Sequence, residues 1–296
     1  ARVTHYDQST GTLTLHNYMD FVDLTDYATL SYELNCDGQV VSAGSVPFPG
    51  GFRLPPHADG TLPLPLDVPA KGKCFVNICY HCKQDSALIK ADHLLGFDEI
   101  PLQNSDPRNQ DAVQLLGRPA GDGLITIRET DRMLVLSCEQ FTYVFNKLTG
   151  LFDKMTFANE PLLDQPMGFN VWRAPTDNDR KLKADWYAAH YDHAATNAYH
   201  TEYTVTASGV TLHTHVGIAA ICVQKFLDLD VTWTVANNGS VDLALHAQRN
   251  TVFPELPRFG LRLFLPQEMS QVNYYGMGPM ECYCDKHHAA SHNSYT

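Results

Sequence analysis

Short runs in which apolar and polar residues alternate recur along most of the chain. They occupy residues 12–15, 30–34, 124–127, 134–136, 210–215 and 231–235. A period of two sends successive side chains to opposite faces, which is how a half-buried strand reads. Residues 75–82 alternate in the same way. Turn residues sit between the runs. Asp37-Gly38 separates 30–34 from Val40-Val41, and Thr149-Gly150 separates 141–145 from 151–155. Asn237-Asn238-Gly239-Ser240 closes 231–235. Each has the chemistry of a hairpin turn. Asn238-Gly239-Ser240 is also a glycosylation sequon, but a hairpin explains it without secretion. Helical periodicity is confined to residues 181–189, and strands do not alternate with helices, so the expected class is all-β. The polar stretch 103–111, which contains Pro107, reads as a break in the chain. The expected organisation is an immunoglobulin-like β-sandwich over 1–104, a linker over 105–111, and a larger β-sandwich over 112–296.

Composition narrows the function classes. Of 296 residues, 44% are apolar and 18% charged, enough hydrophobe for real cores. The longest strongly apolar stretch, 216–223, is far short of the ~20 residues of a membrane helix. Acids outnumber bases by 33 to 21, a net charge of −12. Phosphate binding needs clustered positive charge, so neither nucleic acid nor an anionic membrane is an expected partner. No basic, apolar leader opens the sequence. With reduced thiols, that makes a cytoplasmic location the expectation.

The eight cysteines include two close pairs, Cys79/Cys82 and Cys282/Cys284. A single CxxC lacks the second half of a structural zinc motif. Cys282, Cys284, His287 and His288 could supply four ligands, but buried thiols in strands are the favoured reading, and no metal site is assigned. His213 and His215 share one strand face; a solvated face is the favoured reading there too. Motifs of the form GxxxxGK[ST], HExxH and GxSxG are missing.

Two segments carry candidate chemistry. The first is Asn170-Val-Trp172-Arg173-Ala-Pro-Thr-Asp177-Asn178-Asp179-Arg180. On an extended backbone Asp177 and Asp179 would point the same way. Paired carboxylates about 5–5.5 Å apart can do acid–base work at a glycosidic bond. They can equally cap turns, and composition favours capping. The second is Tyr275-Gly276-Met-Gly278-Pro-Met-Glu281-Cys-Tyr283-Cys-Asp285-Lys286. A carboxylate beside aromatics can recognise sugar; the alternative is a structural turn that buries Glu281 against a cation.

Residues 172–179 resemble the RAPTDND signature of glycoside hydrolase family 2 β-galactosidases. Residues 276–286 resemble that family's GxGPxENYxDR motif, and residues 145–155 resemble the strand–turn–strand that precedes RAPTDND. Cys282 and Lys286 stand where that second motif has Asn and Arg. Arg180-Lys-Leu-Lys183 stands where the lactose-splitting members have a glycine hinge.

The resemblance covers the whole chain. It implies a C-terminal fragment made of an immunoglobulin-like domain and part of a supersandwich-type β-sandwich, the β-galactosidase small-chain type, C-terminally incomplete. The parent activity it implies is retaining hydrolysis of terminal β-D-galactosides such as lactose. Its two catalytic glutamates would lie on a barrel outside this chain, leaving the fragment alone inactive and with no catalytic residue. Asp177, Asn178, Asp179, Arg180 and Trp186 would belong to the substrate rim, and Trp172, Arg173, Glu281, Tyr283 and Asp285 to structural motifs. The implied partners are the remaining parent domains, a β-galactoside and further copies in a homo-oligomer. Parent Mg²⁺ and Na⁺ would be held outside this chain, with no cofactor in it. The competing expectation is a stand-alone carbohydrate-binding or interaction module; an enzyme using Asp177 and Asp179 is a third.

Overall fold

The computed structural model describes residues 1–116 and 123–296, without the side chains of 115 and 116. The chain divides into two compact units: Ala1–Arg118 with Gln271–Thr296, and Pro119–Ser270.

The first unit is built from β1 (Arg2–Asp7), β2 (Thr12–His16), α1 (Leu24–Tyr27), β3 (Ala28–Cys36), β4 (Gln39–Ser45), β5 (Asp59–Pro63), β6 (Cys74–Cys82), β7 (Leu94–Pro101) and α2 (Gln110–Leu116). Its main sheets run β1-β2-β5 and β4-β3-β6-β7, all antiparallel. Alternation decides which faces meet. Leu13 and Leu15 of β2, Leu62 of β5, Leu30 and Leu34 of β3, and Val76 and Ile78 of β6 are buried in one core. Asp37-Gly38 makes the β3–β4 turn with both residues at positive φ, as its sequence predicts.

The second unit contains β8 (Thr126–Glu129), β9 (Met133–Ser137), β10 (Phe141–Asn146), β11 (Leu151–Phe157), β12 (Glu160–Pro161), β13 (Gln165–Asn170), α3 (Lys183–Ala188), β14 (Ala195–Thr206), β15 (Gly209–Ala219), β16 (Leu227–Ala236), β17 (Val241–Arg249) and β18 (Gly260–Phe264). One sheet runs β12-β11-β10-β9-β8, another β14-β15-β16-β17, and β13 pairs with β18. Tyr143, Phe145 and Phe152 of the first sheet share a core with Leu212, Leu229 and Trp233 of the second. Phe152 meets Phe145 and Trp233 edge-on at 5.3 and 5.2 Å, the arrangement the ring quadrupoles favour. Trp233 Nε1 donates to the Gly150 carbonyl at 3.0 Å, fixing the β10–β11 turn. Gly150 has φ +73°, and a Cβ there would lie 2.7 Å from Thr214 and Val216 side-chain carbons. The turn thus requires glycine for both backbone angle and space.

The all-β class follows the alternating runs, and the one helical pattern, residues 181–189, contains α3. The spatial division departs from the one drawn at 105–111 and 112–296. Residues 105–109 lie against the first unit: Asp106 N donates to Ala70 O at 3.1 Å, and Gly72 N to Asp106 O at 2.9 Å. Gln110 and Asp111 open α2. Residues 271–296 also cluster with the first unit. His292 donates its backbone N–H to Glu99 Oε2 at 2.6 Å and stacks on Phe75 at 4.2 Å. Composition marks a polar stretch but does not carry these long-range partners. Among the described residues no helix is long and apolar enough to cross a membrane.

Candidate functional site

The first candidate segment follows β13 in the second unit. Asn170 brackets the chain's exit from that strand. Its Oδ1 accepts from Trp172 N at 3.3 Å and its Nδ2 donates to Trp172 O at 3.0 Å. Residues 177–179 then form a single 3-10 turn. The backbone is thus not extended here, and Asp179 caps the turn through Thr176, the reading that composition favours. In the turn, Asp179 is buried while Asp177 and Asn178 are exposed.

Asp179 is saturated with donors. Arg173 offers its guanidinium as a fork, Nη1 to Oδ2 at 2.5 Å and Nη2 to Oδ1 at 2.9 Å. Thr176 adds its backbone N–H at 2.7 Å and its hydroxyl at 3.0 Å, both to Oδ2. The Arg173 hydrogen bonds, followed by the Thr176 N–H, hold the carboxyl well below the usual carboxylate range. An acid held ionised at neutral pH by an arginine fork has no proton to give and is a poor base. The Arg173 guanidinium already neutralises this buried carboxylate and would repel a cation, so the Asp-Asn-Asp run does not fit a Mg²⁺ or Na⁺ site built on Asp179.

The fork is itself anchored. Arg173 Nε donates to Pro257 O at 3.1 Å, and the guanidinium lies 5.1 Å from the Trp186 ring centre. Trp186, on α3, is 3% exposed and donates Nε1–H to Glu255 O at 2.9 Å. Trp172 meets Trp186 edge-on at 6.5 Å. Tyr191 hydroxyl donates to Pro254 O at 2.7 Å. Arg249 holds the same connection from β17, through Phe253 O at 2.7 Å and Glu255 Oε1 at 2.7 Å. The segment between β17 and β18 is therefore a backbone-carbonyl platform, and the 172–186 segment is fastened to it. Arg180 is exposed. Sequence reasoning missed Arg249, Pro254, Glu255 and Pro257. Pro254, Glu255 and Pro257 lie 63 or more residues from the side chains they serve, and a carbonyl acceptor leaves no trace in residue type; Arg249 acts only through that connection.

The second candidate segment lies in the first unit, after the strand Tyr274–Gly278. Tyr283 and Lys286 close a tight turn by exchanging backbone hydrogen bonds at 3.1 and 3.0 Å. Lys286 Nζ sits 5.6 Å over the Tyr283 ring, and Tyr283 hydroxyl donates to Glu281 Oε1 at 3.1 Å. Glu281, Tyr283 and Asp285 are all exposed. The alternative of a Glu281 buried against a cation is corrected by that exposure. Thus Trp172, Arg173, Asp179 and Trp186 come together in one unit, while Glu281, Tyr283 and Asp285 form a separate surface turn.

Of the metal candidates, Cys282 Sγ donates to Met280 O at 3.1 Å. Among the described residues no three His, Cys, Asp or Glu side chains gather as a metal-ligand set. His213 Nδ1 lies 3.1 Å from Thr232 Oγ1, and His215 Nδ1 3.0 Å from Asp230 Oδ1, on the outer face of β15 and β16.

Two family descriptions match the chain. "Beta-galactosidase, domain 4" covers residues 13–103, and "Beta galactosidase small chain" covers residues 137–296. The second match runs across the spatial division at 270/271. Curated relatives include the β-galactosidase of Actinobacillus pleuropneumoniae, 33% identical over 94% of this chain and 27% of its own length. That of Staphylococcus xylosus is 30% identical over 93% of this chain and 27% of its own. That of Pseudoalteromonas haloplanktis is 24% identical over 92% and 27%. The chain thus spans about a quarter of the length of these relatives. With the turn of residues 172–179 fixed as described and both families matched, the chain belongs to the β-galactosidase small-chain family.

Proposed function

We propose that this chain is a non-catalytic part of a β-galactosidase, and that the carboxylate pair cleaving terminal β-D-galactosides with retention lies in the remainder of the protein. The observation that carries the reading is the saturation of Asp179. The one close acid pair in the RAPTDND-like segment has lost a member to structure, so the segment positions rather than reacts. Asp177, Asn178 and Arg180 are the exposed polar groups of that turn, and Trp186 fastens it. Asp177, Asn178 and Arg180 form part of the rim that a β-galactoside meets, and the buried Trp186 supports it from behind. A rim of this kind orients substrate and excludes water without doing covalent chemistry. Any Mg²⁺ and Na⁺ belong to the remainder of the protein.

Support for a covering partner comes from β17. It is the edge of its sheet and is exposed along both faces, with Leu243 and Leu245 open to solvent. Exposed apolar edge strands invite pairing or cover. The remaining domains of the parent, or another copy in a homo-oligomer, supply that cover. All eight cysteines are free thiols, which suits a cytoplasmic protein.

The test compares the isolated chain with the complete parent enzyme on a chromogenic β-galactoside. The expected result is no turnover by the chain alone. In the complete enzyme, Asn178→Ala and Arg180→Ala should lower kcat/KM while leaving the fold intact. Turnover by the purified chain that disappears in Asp177→Ala would overturn the proposal. Millimolar-or-tighter galactoside binding by the isolated chain, measured by calorimetry, would favour a stand-alone carbohydrate-binding module instead.

A further inference from the structure

Cys36 ends β3 and Cys74 opens β6, and the two are direct cross-strand partners in the antiparallel ladder. Directly opposed residues in such a ladder have Cα atoms about 4.5–5.5 Å apart, inside the range a disulfide spans. Here the sulfurs are already together: Cys74 Sγ lies 3.0 Å from Cys36 Sγ. The surroundings hold them there. Asp37 Oδ1 accepts from Lys73 N at 2.7 Å, tying the residue after Cys36 to the residue before Cys74. Asn104 Nδ2 donates to Gly72 O at 2.9 Å and reaches Cys74 Sγ at 3.5 Å. A Cβ added to Gly72 would overlap Cys36 Sγ. The backbone therefore closes round the pair. The two thiols differ in access, since Cys36 is half-buried and Cys74 is buried.

We propose that Cys36 and Cys74 form a redox-active dithiol that closes to a cross-strand disulfide on exchange with a small-molecule disulfide such as oxidised glutathione. The accessible partner reacts first. Cys36 loses its proton to solvent, and its thiolate attacks one sulfur of the small disulfide, forming a mixed disulfide and releasing one small thiolate. Cys74 then loses its proton and attacks Cys36 Sγ, releasing the second small thiolate. Two protein thiols are oxidised, one small disulfide is reduced to two thiols, and the two protons released are taken up by the leaving thiolates. The product covalently ties the β3–β4 hairpin to β6 in the core-forming sheet.

The electrostatics set the pace. Burial, then the hydrogen bond from Cys74, pushes the Cys36 thiol up to about 12, and the Asp37 carboxylate adds to the effect. Tyr275, from the strand Tyr274–Gly278, is the other titratable group near both sulfurs, and its own hydroxyl is pushed up to about 12, chiefly by burial. No cation offsets these groups among the named causes. The pair is therefore sluggish at neutral pH, and its oxidation rate should follow the small thiolate fraction.

The experiment incubates the full chain with oxidised glutathione at pH 7, 8 and 9. Remaining thiols are alkylated, and peptides are mapped by mass spectrometry. The expected result is a 36–74 cross-link that forms about tenfold faster per pH unit and reverses with dithiothreitol. Cys74→Ala should instead accumulate glutathione on Cys36. Cys36→Ser should leave Cys74 reduced, while the exposed Cys222 and Cys284 react as in the unsubstituted chain. The proposal is overturned if Cys36 and Cys74 remain alkylatable while Cys222 and Cys284 are glutathionylated. It is overturned equally if the unsubstituted chain stops at a stable mixed disulfide on Cys36.

Discussion

Trp186 offers the sharpest test of how the candidate rim is held. The indole has two separable roles. Its ring fills the core beside Trp172 and Arg173, at 3% exposure, and its Nε1–H satisfies Glu255 O at 2.9 Å. Trp186→Phe keeps most of the ring and removes the donor; the acceptor is the carbonyl of Glu255, an exposed residue, so the loss is that of an ordinary hydrogen bond, about 0.5–1.5 kcal/mol. Trp186→Ala removes both and leaves a cavity, at about 3–5 kcal/mol. With a urea dependence of about 2 kcal/mol per molar, the midpoint falls by ~0.5 M for Phe and ~2 M for Ala. The assay is intrinsic fluorescence during urea unfolding. Trp172, Trp186 and Trp233 are the chain's three tryptophans and all lie in the second unit, so the signal reports that unit alone. Trp172 and Trp233 remain as probes in both variants. If both variants unfold within about 0.5 kcal/mol of the original chain, the anchoring role is wrong. If Trp186→Phe costs as much as Trp186→Ala, the ring contributes nothing and the account of two roles fails.

Asp179 gives a pH prediction with a definite sign. Its folded pKa is depressed, so its contribution is complete above the ordinary carboxylate value of ~3.9 and is lost as pH falls below that toward the folded value. Asp179→Asn should therefore lower the melting temperature of the second unit at pH 7 and lower it less at pH 3. An equal deficit at both pH values would refute the ionic account. Glycine positions should also separate cleanly. Gly209 has φ +154°, and a Cβ there would lie 2.1 Å from Val235 O, whereas a Cβ at Gly96 meets nothing within 4 Å. In urea unfolding followed by circular dichroism, which reads both units, Gly209→Ala should cost more than about 1 kcal/mol and Gly96→Ala should be near neutral; equal effects would contradict this backbone geometry.

Much of the fold is written in local pattern. The β16 strand reads Leu-Asp-Leu-Asp-Val-Thr-Trp-Thr-Val-Ala, and its burial follows that alternation residue by residue, because a strand exposes its faces with a period of two. The turns at Asp37-Gly38 and Thr149-Gly150 are equally local: glycine adopts the positive φ they require. Edge and interior are not local. The β17 strand carries Leu243 and Leu245, yet both are open to solvent, since a sheet's last strand buries a face only if something lies against it.

The candidate site divides the same way. Its residue types — a tryptophan, an arginine and an Asp-Asn-Asp run — stand in the sequence, and so does the family resemblance they carry. The sequence does not say that the backbone curls into a 3-10 turn at 177–179. Nor does it say that Asp179 is taken up by Arg173 and Thr176, or that the assembly rests on carbonyls of residues 254–257. Likewise Cys36 and Cys74 are two cysteines 38 positions apart until the ladder sets them opposite one another. Residue order fixed strands, turns and motif chemistry, because these depend on side-chain periodicity and backbone angles over a few residues. Tertiary structure alone decided which carboxylate is spent on structure and which thiols touch, because those outcomes depend on partners brought together by sheet register and packing.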